Sequence, residues 1–460
     1  MVDILYICIV IKSQLLLFFV VLFHISHHNR DMAVHVILLA GGSGKRLWPF
    51  SNEVRAKHSF PFFDTPQGDK ESLIQRSYRH LHSVFPTSTL FVITSLEQSF
   101  VLKRDLPSYG ELIIEPESRD TYAAVLYAIA SIVEQKGCSD EDTILFLPSD
   151  AYADLSFYEA LQKAVALSKK RVSSIVTVGV KPTYEATQYG YIQPENRFFT
   201  YLSVASFIEK PDKAKAHTLI DRGALWNTGV AAFSCEYALS LLEKEFNTTS
   251  FEMIKKQYNS INRTSFDYAV MEKEPSIAVV DYEGEWSDVG SWDTLSKHIP
   301  HDIGSTYKVE ATNTQLFNEL DVPLVAIGTK NISVAASVDG ILVIDHDHAD
   351  LVKEVADRLQ STTKVTEYEG GSALRIHKDE TSETFVISLY PHKTISLEYK
   401  KNSTLTLSCI SGEGSVEHNG KTQPLLSGQT LVFEKESTVV LQSSLGMRLI
   451  KTIISPFRDL

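Results

Sequence analysis

Cysteine is scarce in this chain, and no cysteine-based motif is present. Four cysteines occur among 460 residues, at Cys8, Cys138, Cys235 and Cys409, without a CxxC pair or a Cys/His group at zinc-site spacing. Disulfide frameworks and zinc sites usually show closely spaced cysteines, so we expect neither here. A reducing compartment fits this usage best, and we predict a cytoplasmic protein.

Positive charge is also in short supply. The formal net charge is -13 at pH 7, with 22% of residues charged and 43% hydrophobic. This composition is typical of a globular protein. The length of 460 residues predicts two or three domains. The net charge argues against non-specific binding to nucleic acid, and we predict no nucleic-acid partner. A small anion held by a few local cations remains compatible with it.

A long uninterrupted apolar run is missing. Residues Ile4–Ile25 are mostly apolar, but only the nine residues Leu15–Phe23 run without a polar break. That length is too short to span a bilayer alone. We interpret residues 1–31 as an apolar N-terminal extension absent from the mature protein, which would then start at Met32. The alternative is a signal anchor, and no stable membrane partner is expected unless residues 4–25 are retained.

From Val34 onward, apolar runs alternate with helical patterns. The runs that read as buried strands are Val34–Ala40, Leu90–Thr94, Leu112–Glu115, Thr143–Leu147 and Ser174–Val180. The helical patterns are Ser72–Ser83, Thr121–Lys136 (with Asp120 as N-cap and a stop before Gly137) and Phe157–Lys170. This alternation predicts an α/β, Rossmann-like domain with a mixed, mostly parallel sheet over residues 33–300. Ligands of such sheets bind at the carboxyl ends of the strands.

The pattern changes after residue 300. Residues His301–Asn318 are weakly patterned and read as a linker, and residues 301–365 as a linker with a short β/α segment. Closely spaced strand signals then fill Thr381–Ile454, with Asn419-Gly420 as a hairpin turn. Residues 370–460 are therefore predicted to form a small C-terminal β-sandwich or barrel.

The first strand ends in a glycine-rich loop, within VILLAGGSGKRLWPF from Val36 to Phe50. It is not a Walker A loop, because Leu39 stands where the first Gly belongs and Arg46 where Ser or Thr belongs. The dinucleotide fingerprint also fails, since its last Gly is missing. Exposed backbone N–H groups beside Lys45 and Arg46 would still bind an anion. A tight turn with a solvated Lys-Arg pair is the alternative.

The full string A-G-G-S-G-K-R-L-W-P resembles the signature of sugar-nucleotide pyrophosphorylases, most closely mannose-1-phosphate guanylyltransferases, and Lys57 falls at that family's lysine position. Seven further segments resemble family motifs in the family's order: Glu115–Thr121, Leu147–Asp150, Gln188–Ile192, Phe207–Asp212, Trp226–Gly229, Asp267–Glu272 and Trp286–Trp292. Departures from the pattern occur at Ala56, His58, Asp120 and Ala151.

Two aspartates are candidate metal ligands. Asp150 follows a buried run and a Pro, and Asp288 lies in a Trp-x-Asp-x-Gly turn. Mg²⁺ prefers one or two carboxylates together with phosphate oxygens and water. The resemblance supports metal roles for both residues. The alternative for each is a turn or helix-capping aspartate.

Five residues are candidates for holding a sugar phosphate. Glu209 could accept hydrogen bonds from sugar hydroxyls, and Asn227 can both donate and accept. Lys210 could hold the phosphate, while Tyr189 and Gly190 could line the sugar. Ordinary turn and core positions are the alternative for these residues.

The resemblance implies a Mg²⁺-dependent transfer of GMP from GTP to mannose 1-phosphate, which gives GDP-mannose and pyrophosphate. It implies nucleotide binding at Ala40, Gly41, Gly42, Ser43, Gly44 and Lys45, and catalytic roles for Arg46, Lys57 and Lys210. Two alternatives stay open, the same reaction with another hexose 1-phosphate or NTP, and a non-catalytic sugar-nucleotide-binding regulatory protein. A homo-oligomer is compatible with the sequence.

The C-terminal segment resembles the cupin domain that follows in longer members of the family. That domain can carry phosphomannose isomerase activity on metal-binding His residues. Here Glu398–Asn402 stands where the family has its His cluster, and His392 and His418 are isolated. We therefore predict a metal-free, cupin-like domain without isomerase activity.

Overall fold

A computed structural model describes residues 32–42, 44–106, 110–359, 363–399, 402–434 and 438–455. The interpretation of residues 1–31 as an extension therefore lies outside the described residues. Within the described ranges, no helix combines the length and the apolar character that a membrane crossing requires.

The N-terminal domain is built on a ten-stranded mixed sheet. The strands of this domain are β1 Val34–Leu39, β2 Phe63–Asp64, β3 Lys70–Glu71, β4 Thr89–Thr94, β5 Glu111–Ile114, β6 Thr143–Pro148, β7 Ala151–Ala153, β8 Ile175–Val180, β9 Tyr191–Arg197, β10 Leu202–Ile208, β11 Leu225–Asn227, β12 Ala231–Ser234, β13 Ile277–Tyr282 and β14 Trp286–Asp288. The large sheet has the order β11-β9-β10-β13-β8-β12-β6-β1-β4-β5. Parallel pairing joins β6-β1-β4-β5 and β13-β8, whereas the other neighbours are antiparallel. The predicted mixed α/β architecture is confirmed.

Helices cover both faces of this sheet. They are Leu73–Val84, Leu96–Asp105, Asp120–Lys136, Leu155–Lys169, Lys213–Asp221, Cys235–Phe246, Phe251–Gln257, Phe266–Ala269 and Trp292–His298. The first begins with a capping box, in which Ser72 and Gln75 exchange side-chain and backbone hydrogen bonds. Helix 120–136 ends at Gly137 as predicted, but its N-cap is Arg119 rather than Asp120. The Asp120 carboxylate instead accepts from the adjacent Thr121 N–H.

A segment of short strands follows the N-terminal domain. Its strands are β15 Thr306–Val309, β16 Thr312–Asn318, β17 Leu324–Ile327, β18 Lys330–Ser337 and β19 Gly340–Asp345, followed by the helix Val352–Arg358. Pairing is parallel in β15–β17 and β16–β18 and antiparallel in β18–β19. The prediction of a linker over residues 301–318 is wrong, since β15 and β16 lie there. Each pairs in parallel with residues 18 positions later, Thr306 with Leu324 and Thr312 with Lys330. Such strands are stabilised by pairing with a strand 18 positions later, so apolar and polar residues alternate only weakly in their own sequence.

The C-terminal domain is an antiparallel, barrel-like β domain. Its strands are β20 Val365–Tyr368, β21 Gly371–Lys378, β22 Ser382–Leu389, β23 Lys393–Glu398, β24 Thr404–His418, β25 Lys421–Leu426, β26 Thr430–Phe433, β27 Thr438–Ser443 and β28 Met447–Ile454. The fifteen-residue β24 pairs with β28 and β26 along one part and with β27 and β25 along the other. Alternate residues of β24, among them Leu405, Leu407 and Val416, belong to a separate apolar core inside this domain. The prediction of a C-terminal β domain is confirmed, and of the two predicted forms the domain resembles the barrel.

One cysteine prediction is wrong, because Cys138 and Cys235 form a disulfide. They are 97 residues apart in sequence, with Cα atoms 6.2 Å apart. Strand β12 lies beside β6, so the start of helix 235–246 meets the turn that leads into β6. A bond set by strand pairing leaves no local spacing signal in the sequence.

Candidate active site

The glycine-rich loop lies at the carboxyl end of β1, where the fold predicts a ligand. Gly42 and Gly44 have positive φ angles of 91° and 59°, a conformation that favours glycine. A Cβ on Gly44 would lie 3.0 Å from Cβ of Lys57, so Gly44 also permits close packing against that residue. The predicted contribution of Ser43 lies outside the described residues.

The remaining loop residues differ in how free their polar groups are. The Ala40 N–H donates to the Ile93 carbonyl at 2.9 Å, so it is already used within the sheet. Lys45 is turned away from the loop, since its Nζ lies 2.8 Å from Asp357 Oδ1. Arg46 is half-buried and has no hydrogen-bond or ion-pair partner among the described residues. Gly41, Gly42 and Arg46 are therefore the groups best placed to receive an anion.

Lys57 joins the two predicted metal ligands. Its Nζ lies 2.9 Å from Asp150 Oδ2 and 2.8 Å from Asp288 Oδ1. The Lys57 side chain is 13% exposed, whereas those of Asp150 and Asp288 are 33% and 27% exposed. The structure thus brings together three of the sequence-predicted residues, and the two carboxylates face solvent more than the cation does.

Strand pairing explains how the two aspartates meet. Asp150 follows β6 and immediately precedes β7, while Asp288 is the last residue of β14. β7 and β14 form a two-stranded antiparallel ladder in which Ala151 is paired with Asp288. Lys57 reaches the pair from a short 3₁₀ helix, Lys57–Ser59, beside the glycine loop. Side chains from three separate chain segments therefore converge at the carboxyl ends of the central strands.

The pKa shifts at this cluster follow from burial and charge. Burial acts to lower the pKa of Lys57, but attraction to Asp150 and Asp288 outweighs it and raises the pKa. Burial acts to raise the pKa of Asp150, yet the ammonium of Lys57 lowers it overall. Burial lowers the pKa of the neighbouring His58 to about 4, so this side chain is neutral near pH 7. The cluster is accordingly one ammonium between two carboxylates.

A cavity of about 160 Å³ opens beside these carboxylates. Its lining includes every predicted sugar-site residue except Lys210, namely Tyr189, Gly190, Glu209 and Asn227, together with both aspartates. A Cβ on Gly190 would lie 2.5 Å from Glu209 Oε2 and 2.9 Å from the Phe207 ring. The missing side chain of Gly190 therefore allows the Glu209 carboxylate to pack against the backbone of residue 190.

Lys210 does not line this cavity, but it follows the lining residue Glu209 in the chain. Its ammonium forms an ion pair with Glu209 and lies 5.7 Å from the centroid of the Tyr268 ring. Burial acts to lower the pKa of Lys210, but the hydrogen bond to Glu209 raises it overall. Lys210 adopts a positive φ of 46°, a conformation that is costly for a side chain with a Cβ and clusters at functional sites.

Asp267 is a pocket residue that the sequence analysis did not single out. It lines the cavity, and its Oδ1 accepts a 2.8 Å hydrogen bond from Nδ2 of Asn227. Burial and the nearby charge of Glu209 raise the pKa of Asp267 to about 7. The signal was its place in the segment Asp267–Glu272, which matches a family motif.

Glu115 is a second buried carboxyl that was not singled out. It lies next to the glycine loop, where a Cβ on Gly41 would be 3.6 Å from its Oε1. Its Oε2 accepts a 2.8 Å hydrogen bond from the hydroxyl of Tyr258. Burial raises the pKa of Glu115 to about 7. The carboxyl can therefore act as donor or acceptor near neutral pH.

The donor set at Asp150 and Asp288 fits a hard divalent cation. Oxygens from the two carboxylates converge on one point, which the ammonium of Lys57 fills as a positive charge. Carboxylate oxygens are the ligands that Mg²⁺ prefers, and the open cavity leaves room for water and phosphate oxygens.

Comparisons with known proteins agree with this geometry. A family model described as nucleotidyl transferase matches residues 35–303. A Vibrio cholerae protein named putative mannose-1-phosphate guanylyltransferase is 26% identical over 436 residues, which cover 86% of this chain and 90% of that protein. An Escherichia coli mannose-1-phosphate guanylyltransferase is 26% identical over 445 residues, or 88% of this chain and 90% of its own length.

A solved structure from Thermus thermophilus, named as a mannose-1-phosphate geranyltransferase, has a TM-score of 0.62 and 28% identity. The match covers 71% of this chain and 99% of that one. The family model alone spans more than half of the 460 residues, and the site residues described above lie within it. The chain belongs to the nucleotidyl transferase family.

Proposed function

We propose that this protein transfers GMP from GTP to mannose 1-phosphate, giving GDP-mannose and pyrophosphate. The observation that carries the proposal is the position of Lys57 between Asp150 and Asp288, beside a cavity lined by Glu209 and Asn227. This arrangement places groups for phosphate charge next to groups for sugar hydroxyls. Relatives that cover most of the chain are named for the same reaction.

The reaction is an in-line displacement that needs no protein nucleophile. A phosphate oxygen of mannose 1-phosphate attacks the α-phosphorus of GTP, and the bond to the β-phosphate oxygen breaks. Pyrophosphate leaves with that electron pair. Because the attacking phosphate is already an anion, no general base is required, and the protein contributes positioning and neutralisation of charge.

The chain's own cations divide this task between them. Arg46 lies beside the glycine loop without a partner among the described residues, which suits it to the triphosphate. Lys57 is buried next to the same loop and would hold the leaving pyrophosphate. Lys210, which is ion-paired with the cavity residue Glu209, would hold the phosphate of the sugar. Asp150 and Asp288 would bind Mg²⁺, which when bound neutralises phosphate charge in the transition state.

Neutral and acidic side chains of the cavity would determine sugar specificity through hydrogen bonds to the hydroxyl groups. Glu209 accepts hydrogen bonds from hydroxyl groups, and Asn227 is held between Gly229 N–H and Asp267 so that its amide is fixed in orientation. Asp267, with a pKa of about 7, can donate as well as accept. A site that fixes several hydroxyls in this way discriminates strongly between hexoses.

Pyrophosphate release tests the proposal. The protein is incubated with Mg²⁺, one sugar 1-phosphate and one NTP, in all combinations of mannose, glucose and galactose with GTP, ATP and UTP. The proposal predicts that mannose 1-phosphate with GTP gives the highest kcat/KM. A different best pair would assign another specificity to the same site. Binding of GDP-mannose without any pyrophosphate release would identify a regulatory protein instead.

A further inference from the structure

A second cluster of side chains that can bind metal lies at the amino ends of the central strands of the N-terminal sheet. One donor atom each from His35, Cys138 and Asp142 lie within 4.8 Å of one another. β1 and β6 run parallel, with Val34 paired to Thr143 at their amino ends. The cluster sits at these amino ends, whereas the candidate active site lies at the carboxyl ends.

His35 is the observation that points to a ligand here. The residue is 4% exposed, and neither ring nitrogen has a hydrogen-bond partner among the described residues. Its Nε2 lies 3.9 Å from Asp142 Oδ2, which is longer than a hydrogen bond. Buried polar groups are normally satisfied, and an unpaired imidazole inside a core costs free energy unless something binds it. A metal ion would satisfy the ring nitrogen that faces Asp142.

Asp142 is already oriented for such a role. Its Oδ1 accepts a 2.8 Å hydrogen bond from Ala33 N–H, and its Oδ2 accepts one of 2.9 Å from Ser139 N–H. A carboxylate has about four acceptor positions, so these two bonds fix its direction without exhausting it. Backbone donors that hold a ligand carboxylate are a usual feature of metal sites.

The fourth donor is Cys235, which is bonded to Cys138. Cleavage of that bond would free both thiols: the Cys138 sulfur already lies within 4.8 Å of the imidazole and carboxylate donors, and the Cys235 sulfur would move toward them as the fourth ligand. Zinc is bound by these ligand types in tetrahedral sites, at about 2.0–2.3 Å. Donor atoms of such a site are roughly 3.5 Å apart, so the side chains would close in by about 1 Å.

We propose that, when a dithiol has reduced the Cys138–Cys235 bond, His35, Asp142, Cys138 and Cys235 bind one thiophilic divalent cation such as zinc. The dithiol supplies two electrons, its thiolate attacks a cysteine sulfur, the S–S bond breaks, and the dithiol closes to its own disulfide. Cys138 is the accessible sulfur, since it is half-buried whereas Cys235 is fully buried. Thiol protons then leave to solvent as the thiolates bind the ion.

The site would therefore bind the ion in the reduced protein and would not bind it in the oxidised protein. In the oxidised protein both sulfurs are held in the disulfide, and neither is a thiolate. In the reduced protein the ion would tie the start of β1 to the 138–142 turn and to helix Cys235–Phe246. Both states cross-link that turn to that helix, so the fold is retained in each.

Zinc binding by the full chain tests the proposal. The protein is reduced with dithiothreitol, freed of reductant without oxygen, dialysed against zinc and analysed for metal, beside an oxidised sample. We expect one zinc per reduced chain and none per oxidised chain. His35→Phe keeps a ring beside Phe91. This variant and Cys235→Ser should each weaken zinc binding by more than roughly 100-fold, since loss of a residue that only hydrogen-bonds a metal ligand costs roughly 10–100-fold. Cys409→Ser, at the free cysteine of the described residues, is the matched control and should bind as the wild type does.

Cobalt gives a second readout that does not depend on activity. Cobalt(II) bound to thiolates shows a ligand-to-metal charge-transfer band, which reduced wild type should have and Cys138→Ser should lose in large part. Circular dichroism verifies that each variant is folded. The proposal is overturned if reduced wild type holds no zinc, if the oxidised protein binds it equally, or if His35→Phe and Cys235→Ser bind as tightly as wild type.

Discussion

Lys57 and Asp288, 231 positions apart in the chain, meet at 2.8 Å between Nζ and Oδ1. The contact places a buried ammonium at the point where a divalent cation would bind Asp150 and Asp288. Under the proposed function, Lys57 and the metal ion would compete for the same carboxylates. Arrival of a metal–nucleotide complex would release the lysine toward the phosphates, which links nucleotide binding to the positioning of a catalytic cation.

Asp150→Ala should abolish turnover while leaving the fold intact. Asp150 is 33% exposed and lies outside the apolar cores, so its removal leaves no cavity in them. We expect kcat to fall by at least about 10²-fold, since charge neutralisation supplies much of the rate in phosphoryl-type reactions. Pyrophosphate release measures kcat, and circular dichroism measures the fold. Asp321→Asn, at an exposed turn, is the control; undiminished activity of Asp150→Ala would remove Asp150 from the metal site.

Lys57→Met should make the protein's thermal stability more sensitive to Mg²⁺. Without the ammonium, the two carboxylates repel each other and cost about 1–2 kcal/mol, less than a buried pair because both are partly exposed. A divalent cation restores the balance, so millimolar Mg²⁺ should raise the Tm of Lys57→Met more than that of wild type. Equal shifts in the two proteins would show that the cation does not bind between these carboxylates.

Gly190→Ala should raise the KM for the sugar phosphate by roughly 10–100-fold, the loss expected when a hydrogen bond to a charged group is displaced. The added Cβ would lie 2.5 Å from Glu209 Oε2 and would force that carboxylate out of place. The KM for the nucleotide should change little, because the glycine loop is untouched. Gly428→Ala, where a Cβ meets nothing within 4 Å but φ is +83°, controls for backbone strain away from the site and should leave both KM values unchanged. A change confined to the nucleotide KM would contradict the assignment of this cavity to the sugar.

Asp267→Asn should stabilise the protein increasingly as pH rises. The pKa of Asp267 rises from 3.8 in the unfolded chain to about 7 in the fold, through burial and the charge of Glu209. Its stabilising contribution is therefore complete below pH 3.8 and is lost as pH rises through about 7. Relative to wild type, Asp267→Asn should gain roughly 2–3 kcal/mol between about pH 5 and pH 8. Urea unfolding at both pH values measures this gain. A pH-independent difference would mean that Asp267 is already ionised at pH 5.

The sequence predicts the elements whose own residues determine them. β1 and the helix over 120–136 have strong apolar patterns, and the structure places both within a residue or two of the prediction. β16 is different, because Asn313, Thr314 and Gln315 interrupt its apolar pattern and its partner lies 18 positions away. Its stability comes from the neighbouring coil, which local periodicity does not reveal.

The site divides in the same way. Lys57, Asp150 and Asp288 could be predicted individually from motifs, but their contact depends on the β7–β14 ladder, two strands of three residues each. The sequence motif includes Asp267, but its role in the cavity follows from its hydrogen bond to Asn227. The Cys138–Cys235 bond likewise follows from strand order and not from spacing.

A crystal structure with a non-hydrolysable GTP analogue, Mg²⁺ and mannose 1-phosphate tests the central claim most directly. We predict the triphosphate beside Gly41, Gly42 and Arg46, the metal ion on Asp150 and Asp288, and the sugar in the cavity with Glu209 and Asn227. Lys57 Nζ should have left the carboxylates for the phosphates. A nucleotide bound elsewhere, with Lys57 still held between the two aspartates, would contradict the account.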